Sequence, residues 1–153
     1  MNVKASIAIL GLSAVAAAYP SVSAQQPGQQ SGQQSGQRTV WDGVYSEPQS
    51  SRGKAVYSEA CVSCHAADLS GGESAPALAG VSFNANWTDL TLGDLADRIR
   101  ISMPADKPGT LSRQQVADIV SFMLSTGSFP AGAADLPVDG EALKQIKFLA
   151  TKP

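Results

Sequence analysis

Two cysteines and a histidine lie within five consecutive residues, Cys61-Val62-Ser63-Cys64-His65, and these are the only cysteines and the only histidine in the chain. On one helical turn, residues three apart face the same side, so both thiols can form thioethers with the two vinyl groups on one porphyrin edge. The neighbouring imidazole can then bind the iron. C-x-x-C-H is the attachment motif of c-type haem. The segment predicts one haem c per chain, bound through Cys61 and Cys64 with His65 as an iron ligand.

The same residues suit other kinds of site less well. A zinc site takes four ligands, and two Cys with one His supply at most three. A thioredoxin-like dithiol normally follows a strand in a β-α-β pattern, and the sequence shows no such alternation. A plain structural disulfide also suits an exported protein and stays open at this point.

An electron carrier also needs a sixth iron ligand, and a methionine thioether fills that position and raises the reduction potential. Beyond the first 24 residues the chain offers Met103 and Met123. Met123 lies within the apolar stripe of a predicted helix, where methionine usually fills the core. Met103 directly precedes Pro104, which disfavours helix at the residue before it. Met103 is therefore the first candidate for the sixth ligand, and Met123 is the alternative.

Composition sets limits on fold and partners. The chain has 153 residues, of which 43% are hydrophobic and 16% charged, as expected for a single globular domain. The net charge of −2 argues against nucleic acid or an anionic membrane surface as a partner. Both cysteines belong to the motif, so no disulfide framework is expected elsewhere.

The chain divides into three predicted regions. Residues 1–24 resemble a secretory signal peptide, with Lys4 followed by an apolar run and a cleavage site before Gln25. Residues 25–39 are rich in Gln, Gly and Ser and predict a disordered linker. Residues 40–153 form the predicted folded domain. The chain is then periplasmic, or, if the signal is not cleaved, anchored in the inner membrane and facing the periplasm.

Hydrophobic periodicity predicts an all-α fold. Helices are expected from about Pro48 to Cys61, from Leu92 to Ser102 and from Arg113 to about Ser125. Capping-box patterns begin the second and third of these helices, at Thr91-Leu92-Gly93-Asp94 and Ser112-Arg113-Gln114-Gln115.

Other segments should complete the domain around these helices. Gly53 inside the first helix indicates close approach by another helix, on the face it shares with Tyr57. Residues 66–85 predict a loop rich in small residues. Gly127 is expected to end the last helix, and a strap over the core is expected from about residue 128.

The sequence resembles the class I cytochromes c over about Trp41 to Phe129. The matching residues are Cys61, Cys64 and His65, Ala75-Pro76-Ala77-Leu78, Ser102-Met103-Pro104, and the Gly53/Tyr57 pair. The resemblance implies the cytochrome c fold, three to five short helices around one covalently bound haem, with the first and last helices crossing near Gly53.

The resemblance also implies roles for single residues. The Pro76 carbonyl would accept a hydrogen bond from the His65 ring, Leu78 would pack on the haem ring, and Trp87 would lie near a haem propionate. Three stretches, Trp41–Tyr45, Arg98–Asp106 and Phe129–Gly132, are also similar to small bacterial cytochromes found beside pyrroloquinoline quinone dehydrogenases.

These features predict a periplasmic electron-transfer protein that is not an enzyme and has no substrate of its own. It would dock transiently with redox proteins, such as a quinoprotein dehydrogenase or an oxidase. One alternative is a haem enzyme or sensor with an open or labile sixth iron position. A less favoured alternative is a haem-free C-x-x-C thiol oxidoreductase.

Overall fold

The computed structural model describes residues 37–153, and this part of the chain is mainly helical. Its elements in chain order are β1 (Arg38–Thr39), α1 (Glu47–Ala60), α2 (Val62–His65), α3 (Val81–Trp87), α4 (Leu92–Ser102), α5 (Arg113–Thr126), α6 (Gly140–Lys144) and β2 (Ile146–Lys147). The all-α prediction is confirmed. Six helices are present among the described residues, rather than three to five, because short helices form outside the periodic segments. The predicted signal peptide and most of the predicted linker lie outside the described residues.

The three long helices begin at side-chain caps. Ser46 caps α1 by accepting a hydrogen bond from the backbone of Gln49. Reciprocal capping boxes begin α4, between Thr91 and Asp94, and α5, between Ser112 and Gln115. The predicted capping patterns are therefore confirmed, and the long helices lie within two residues of their predicted bounds.

Helices α1 and α5 cross at a glycine. A Cβ atom at Gly53 would overlap the backbone carbonyl of Asp118 and touch the side chain of Phe122. One turn later, the ring of Tyr57 packs against Phe122 with 5.3 Å between ring centroids. The close approach predicted from Gly53 is confirmed, and the backbones of the two helices meet directly.

One sequence prediction about local structure was wrong, and one was confirmed. Helix α3 begins inside residues 66–85, which were predicted as a loop, and extends two residues beyond them. The helix was missed because only Phe83 of its residues is buried, so no apolar stripe marks it in the sequence. Gly127 does end α5, but with an ordinary φ of −74°. The left-handed conformation falls on the next residue, Ser128, with φ 64°.

The segment after α5 returns across the domain to the start of the described chain. Strand β2 pairs in parallel with β1, with Arg38 opposite Ile146. The indole Nε1 of Trp41 donates to the Leu149 carbonyl at 3.0 Å, and the Phe148 ring packs edge-on against Phe129 at 5.2 Å. These contacts attach both ends of the domain to one aromatic cluster.

Within residues 37–153, every helix is too short or too polar to cross a membrane.

Candidate haem-binding site

One large cavity contains the chemically active side chains predicted from the sequence. Its volume is about 1130 Å³, somewhat larger than the roughly 300–1,000 Å³ typical of small-molecule and cofactor sites. Cys61, Cys64, His65 and Met103 all line it. The cavity is large enough for a macrocycle, and its donor atoms are two thiols, an imidazole and thioethers. The residues present therefore fit a covalently bound haem.

Helix α2 is a single turn that carries the C-x-x-C-H motif. Cys61 is the N-cap residue of this turn, and its backbone carbonyl accepts a hydrogen bond from the backbone N–H of His65 at 3.0 Å. Both cysteines are free thiols, with Cys61 half-buried and Cys64 exposed. The helical turn places both cysteines and the histidine at the wall of the same cavity.

The alternatives to haem at the motif are not supported by its surroundings. Burial raises the pKa of Cys61 to about 11, whereas the attacking cysteine of a dithiol redox site has a lowered pKa. Among residues 37–153, no three His, Cys, Asp or Glu side chains group closely enough to hold a metal ion. A zinc site at the motif would require such a group.

The imidazole of His65 has a defined orientation. The ring is buried, and its Nδ1 lies 2.8 Å from the carbonyl oxygen of Pro76. Because a carbonyl can only accept, Nδ1 carries the proton, and the lone pair on Nε2 is available to iron. This contact was expected from the resemblance, and such a second hydrogen bond fixes the tautomer and raises the basicity of the ligand.

Both methionines considered from the sequence line the cavity. Met103 follows α4 in an extended conformation, with φ −124° and ψ 152°, and is half-buried. Met123 lies within α5 and is 3% exposed, as part of the core. Met103 thus lies just beyond the end of a helix, whereas Met123 is packed within one. The structure places both side chains at the cavity without assigning either one to iron.

The remaining predicted site residues are also at the cavity. Leu78 and Trp87 line it as half-buried side chains, and Pro76 lines it as well, with its carbonyl oxygen at the His65 ring. Trp87 ends α3 and packs against Phe83 at 6.0 Å. Their positions suit contact with a macrocycle.

Several cavity residues were not predicted as site residues. The large apolar ones are Ile99, Leu111 and Ile119. Ile99 and Ile119 lie in helices predicted from periodicity, but periodicity alone does not tell which residues of a helix face a ligand. Arg98 is exposed and also lines the cavity, where a guanidinium can pair with a carboxylate.

Comparison with known proteins agrees with the cavity chemistry. The family model described as cytochrome c oxidase, cbb3-type, subunit III matches residues 48–123. The chain is a class I cytochrome c. The single C-x-x-C-H motif makes it a mono-haem member of that class, and the fold predicted for the class is confirmed. The narrower likeness to cytochromes found beside pyrroloquinoline quinone dehydrogenases stays a prediction.

A solved structure with some similarity is that of the sulfane dehydrogenase SoxCD from Paracoccus pantotrophus. The sequence identity is 22% and the TM-score 0.47, over 71% of this chain and 62% of that chain. This cytochrome thus spans less than two thirds of the chain it matches. A search of curated proteins gave no significant match.

Proposed function

We propose that this cytochrome is an exported single-electron carrier with one haem attached through Cys61 and Cys64 and ligated by His65 and Met103. One observation carries the proposal: two thiols, an oriented imidazole and a thioether line the same cavity. When bound, haem iron supplies one-electron chemistry by alternating between the ferrous and ferric states.

The residues of the chain have separate roles in this proposal. The two cysteines fix the cofactor covalently, so it is not lost after export. The Pro76 carbonyl orients the His65 ring at 2.8 Å, and the Met103 thioether would be the second protein ligand of the iron and would favour its reduced state. The cavity wall also includes the apolar side chains of Leu78, Ile99 and Ile119. They would keep water from the iron and raise its reduction potential further.

The partner is proposed to be another redox protein, such as a quinoprotein dehydrogenase or an oxidase, that docks transiently in the periplasm. The signal-like residues 1–24 support export. The charged side chains lining the cavity are balanced, with Glu59 and Asp106 against Arg98 and Lys107. Because neither sign dominates among these side chains, they should contribute little to long-range steering of the partner.

Attachment and electron transfer can be tested on the exported protein. A pyridine haemochrome spectrum should show one c-type haem per chain, and the colour should stay with the protein during acid-acetone extraction. The Cys61→Ala/Cys64→Ala variant should yield little folded protein, since haem would supply much of the core around this cavity. A haem that survives extraction in that variant would refute attachment through these thiols, and a colourless wild-type protein would refute the proposed function.

A further inference from the structure

The residue directly after His65 has a backbone conformation that is rare for an L-amino acid. Ala66 has φ 62° and ψ 161°, a combination used almost only by glycine. Such a residue persists only where the surrounding structure holds it, and such residues cluster at functional sites. The Ala66 conformation determines the direction in which the chain leaves the proposed iron ligand.

Hydrogen bonds on both sides hold the Ala66 peptide. Its N–H donates to the carbonyl of Val62 at 3.1 Å. Its own carbonyl accepts from the Tyr57 hydroxyl at 2.7 Å and from the N–H of Leu69 at 3.3 Å. The shorter of the two bonds to this carbonyl therefore comes from a side chain of another helix, α1.

Tyr57 is well placed to act as a fixed donor. It is 1% exposed and its ring packs against Phe122 of α5, one turn beyond the Gly53 crossing. Burial raises the pKa of Tyr57 to about 12, so the hydroxyl keeps its proton at neutral pH. Tyr57 thus connects the most closely packed part of the domain to the strained peptide.

From Ala66 the chain returns to the His65 ring. The N–H of Gly71 donates to the His65 carbonyl at 3.0 Å, and the Pro76 carbonyl then meets the His65 Nδ1 at 2.8 Å. Gly71 has φ 74°, and a Cβ atom there would lie 2.6 Å from the Pro76 carbonyl carbon. The segment from Ala66 to Pro76 is therefore a closed loop, and its direction is set at Ala66.

We propose that Tyr57 is a positioning residue for His65. Its hydroxyl holds the Ala66 carbonyl in the strained conformation, and the loop that starts there carries the Pro76 carbonyl to the imidazole. The inference rests on the proposed function in one respect, since it takes His65 as the iron ligand.

The test compares two buried tyrosines that each donate to one backbone carbonyl. Tyr45 is also 1% exposed, but its hydroxyl donates to the Phe129 carbonyl at 2.8 Å and not to the residue that follows His65. Neither tyrosine lines the cavity. Tyr57→Phe and Tyr45→Phe should lose similar amounts of thermal stability.

Two readouts should respond only to Tyr57→Phe. Exchange of the His65 Nδ1 proton with solvent, followed by NMR, should become several-fold faster. The reduction potential should rise, because a weaker hydrogen bond makes the imidazole a poorer electron donor. If Tyr57→Phe loses stability like Tyr45→Phe but changes neither readout, Tyr57 is merely structural and the proposal is wrong.

Rescue by glycine tests the strain directly. Ala66→Gly removes the conformational strain, so the Tyr57→Phe/Ala66→Gly double variant should recover the exchange rate and potential of the wild type. Failure of the glycine to restore either value would overturn the mechanism. The haemochrome spectrum of the wild type separates the two proposals: its absence refutes the proposed function, whereas the exchange of the ring proton still tests the role of Tyr57.

Discussion

The α1–α5 crossing and the segment from residue 66 to residue 80, which follows the C-x-x-C-H motif, are built in contrasting ways. The crossing joins two capped helices through backbone contact at Gly53. The segment between α2 and α3 contains no helix or strand. Instead it has positive φ angles at Ala66, Leu69 and Gly71.

The two regions have different structural roles in this small domain. Regular, closely packed helices have no reason for strain, and they supply the rigidity. The irregular segment orients the ligand, which needs backbone directions that regular elements cannot give. Its strain is tolerated because the packed helices α1 and α5, called the frame below, hold it. Substitutions at the crossing should therefore mainly change the stability of the fold, and substitutions near the cavity should mainly change the reduction potential of the iron.

The largest expected effect on stability comes from Gly53→Ala. The added Cβ would overlap the Asp118 carbonyl, and overpacking of this kind costs about 1–3 kcal/mol and sometimes more. We expect about 3 kcal/mol, because backbone atoms cannot rotate away, measured by denaturant unfolding of the haem-loaded protein. Gly72→Ala is the matched control, since a Cβ there meets nothing within 4 Å. Equal effects of the two substitutions would contradict the view that the crossing is the rigid part.

Met103→Ala should have the largest effect on the reduction potential of the iron. Loss of the thioether destabilises the ferrous state, so the potential should fall by something on the order of 0.1 V, and the sixth position should open to cyanide or carbon monoxide. Met123→Leu conserves volume and should cost less than about 1.5 kcal/mol while leaving the potential nearly unchanged. Redox titration of both variants decides the ligand.

The two methionines can also give the opposite result. A fall in potential with Met123→Leu alone would reverse the ligand assignment. No change in either variant would favour the haem enzyme or sensor with an open sixth position over the carrier.

A smaller effect on stability is expected from the polar contacts that Asp135 makes with the start of α1. The Ser46 hydroxyl and then the Arg52 guanidinium hold the pKa of Asp135 below its usual range. A carboxylate with a lowered pKa stabilises the fold above its unfolded pKa of about 3.9, and this contribution disappears as the pH falls through the folded pKa.

Asp135→Asn should therefore lower the melting temperature by a constant amount above about pH 5, and the difference from the wild type should shrink at lower pH. Melting curves across that range test the sign. A difference that grows as the pH falls would show that Asp135 does not stabilise the fold as a carboxylate.

The long helices and most of the site were predictable because local rules determine them. Capping boxes fixed the starts of α4 and α5, and C-x-x-C-H identified the proposed haem attachment. Gly53 indicated the helix crossing because a glycine within a helix usually has a packing reason. These features depend on residues close in sequence or on one exceptional residue.

Other features depend on contacts that no local pattern contains. Helix α3 lacks an apolar stripe, since only Phe83 is buried. The strained conformation of Ala66 is imposed by a hydroxyl from another helix. Ile99 and Ile119 lie in helices that the sequence predicts, but the cavity they line forms only when distant elements meet.

The smallest expected effect is at the edge of the frame, where Ser128 follows α5 with φ 64°. A left-handed residue other than glycine costs roughly 1–2 kcal/mol, and the entropy of glycine in the unfolded chain offsets part of that. Ser128→Gly should therefore raise stability by less than about 1 kcal/mol, seen as a small rise in melting temperature. Ser51→Gly, at an exposed position inside α1, should instead lower it by about 0.5 kcal/mol. Neither substitution should change the reduction potential, because neither residue lines the cavity or forms a hydrogen bond with the segment from residue 66 to residue 80. A change in potential with Ser128→Gly would show that strain at the edge of the frame reaches the iron, and the division between frame and site would not hold.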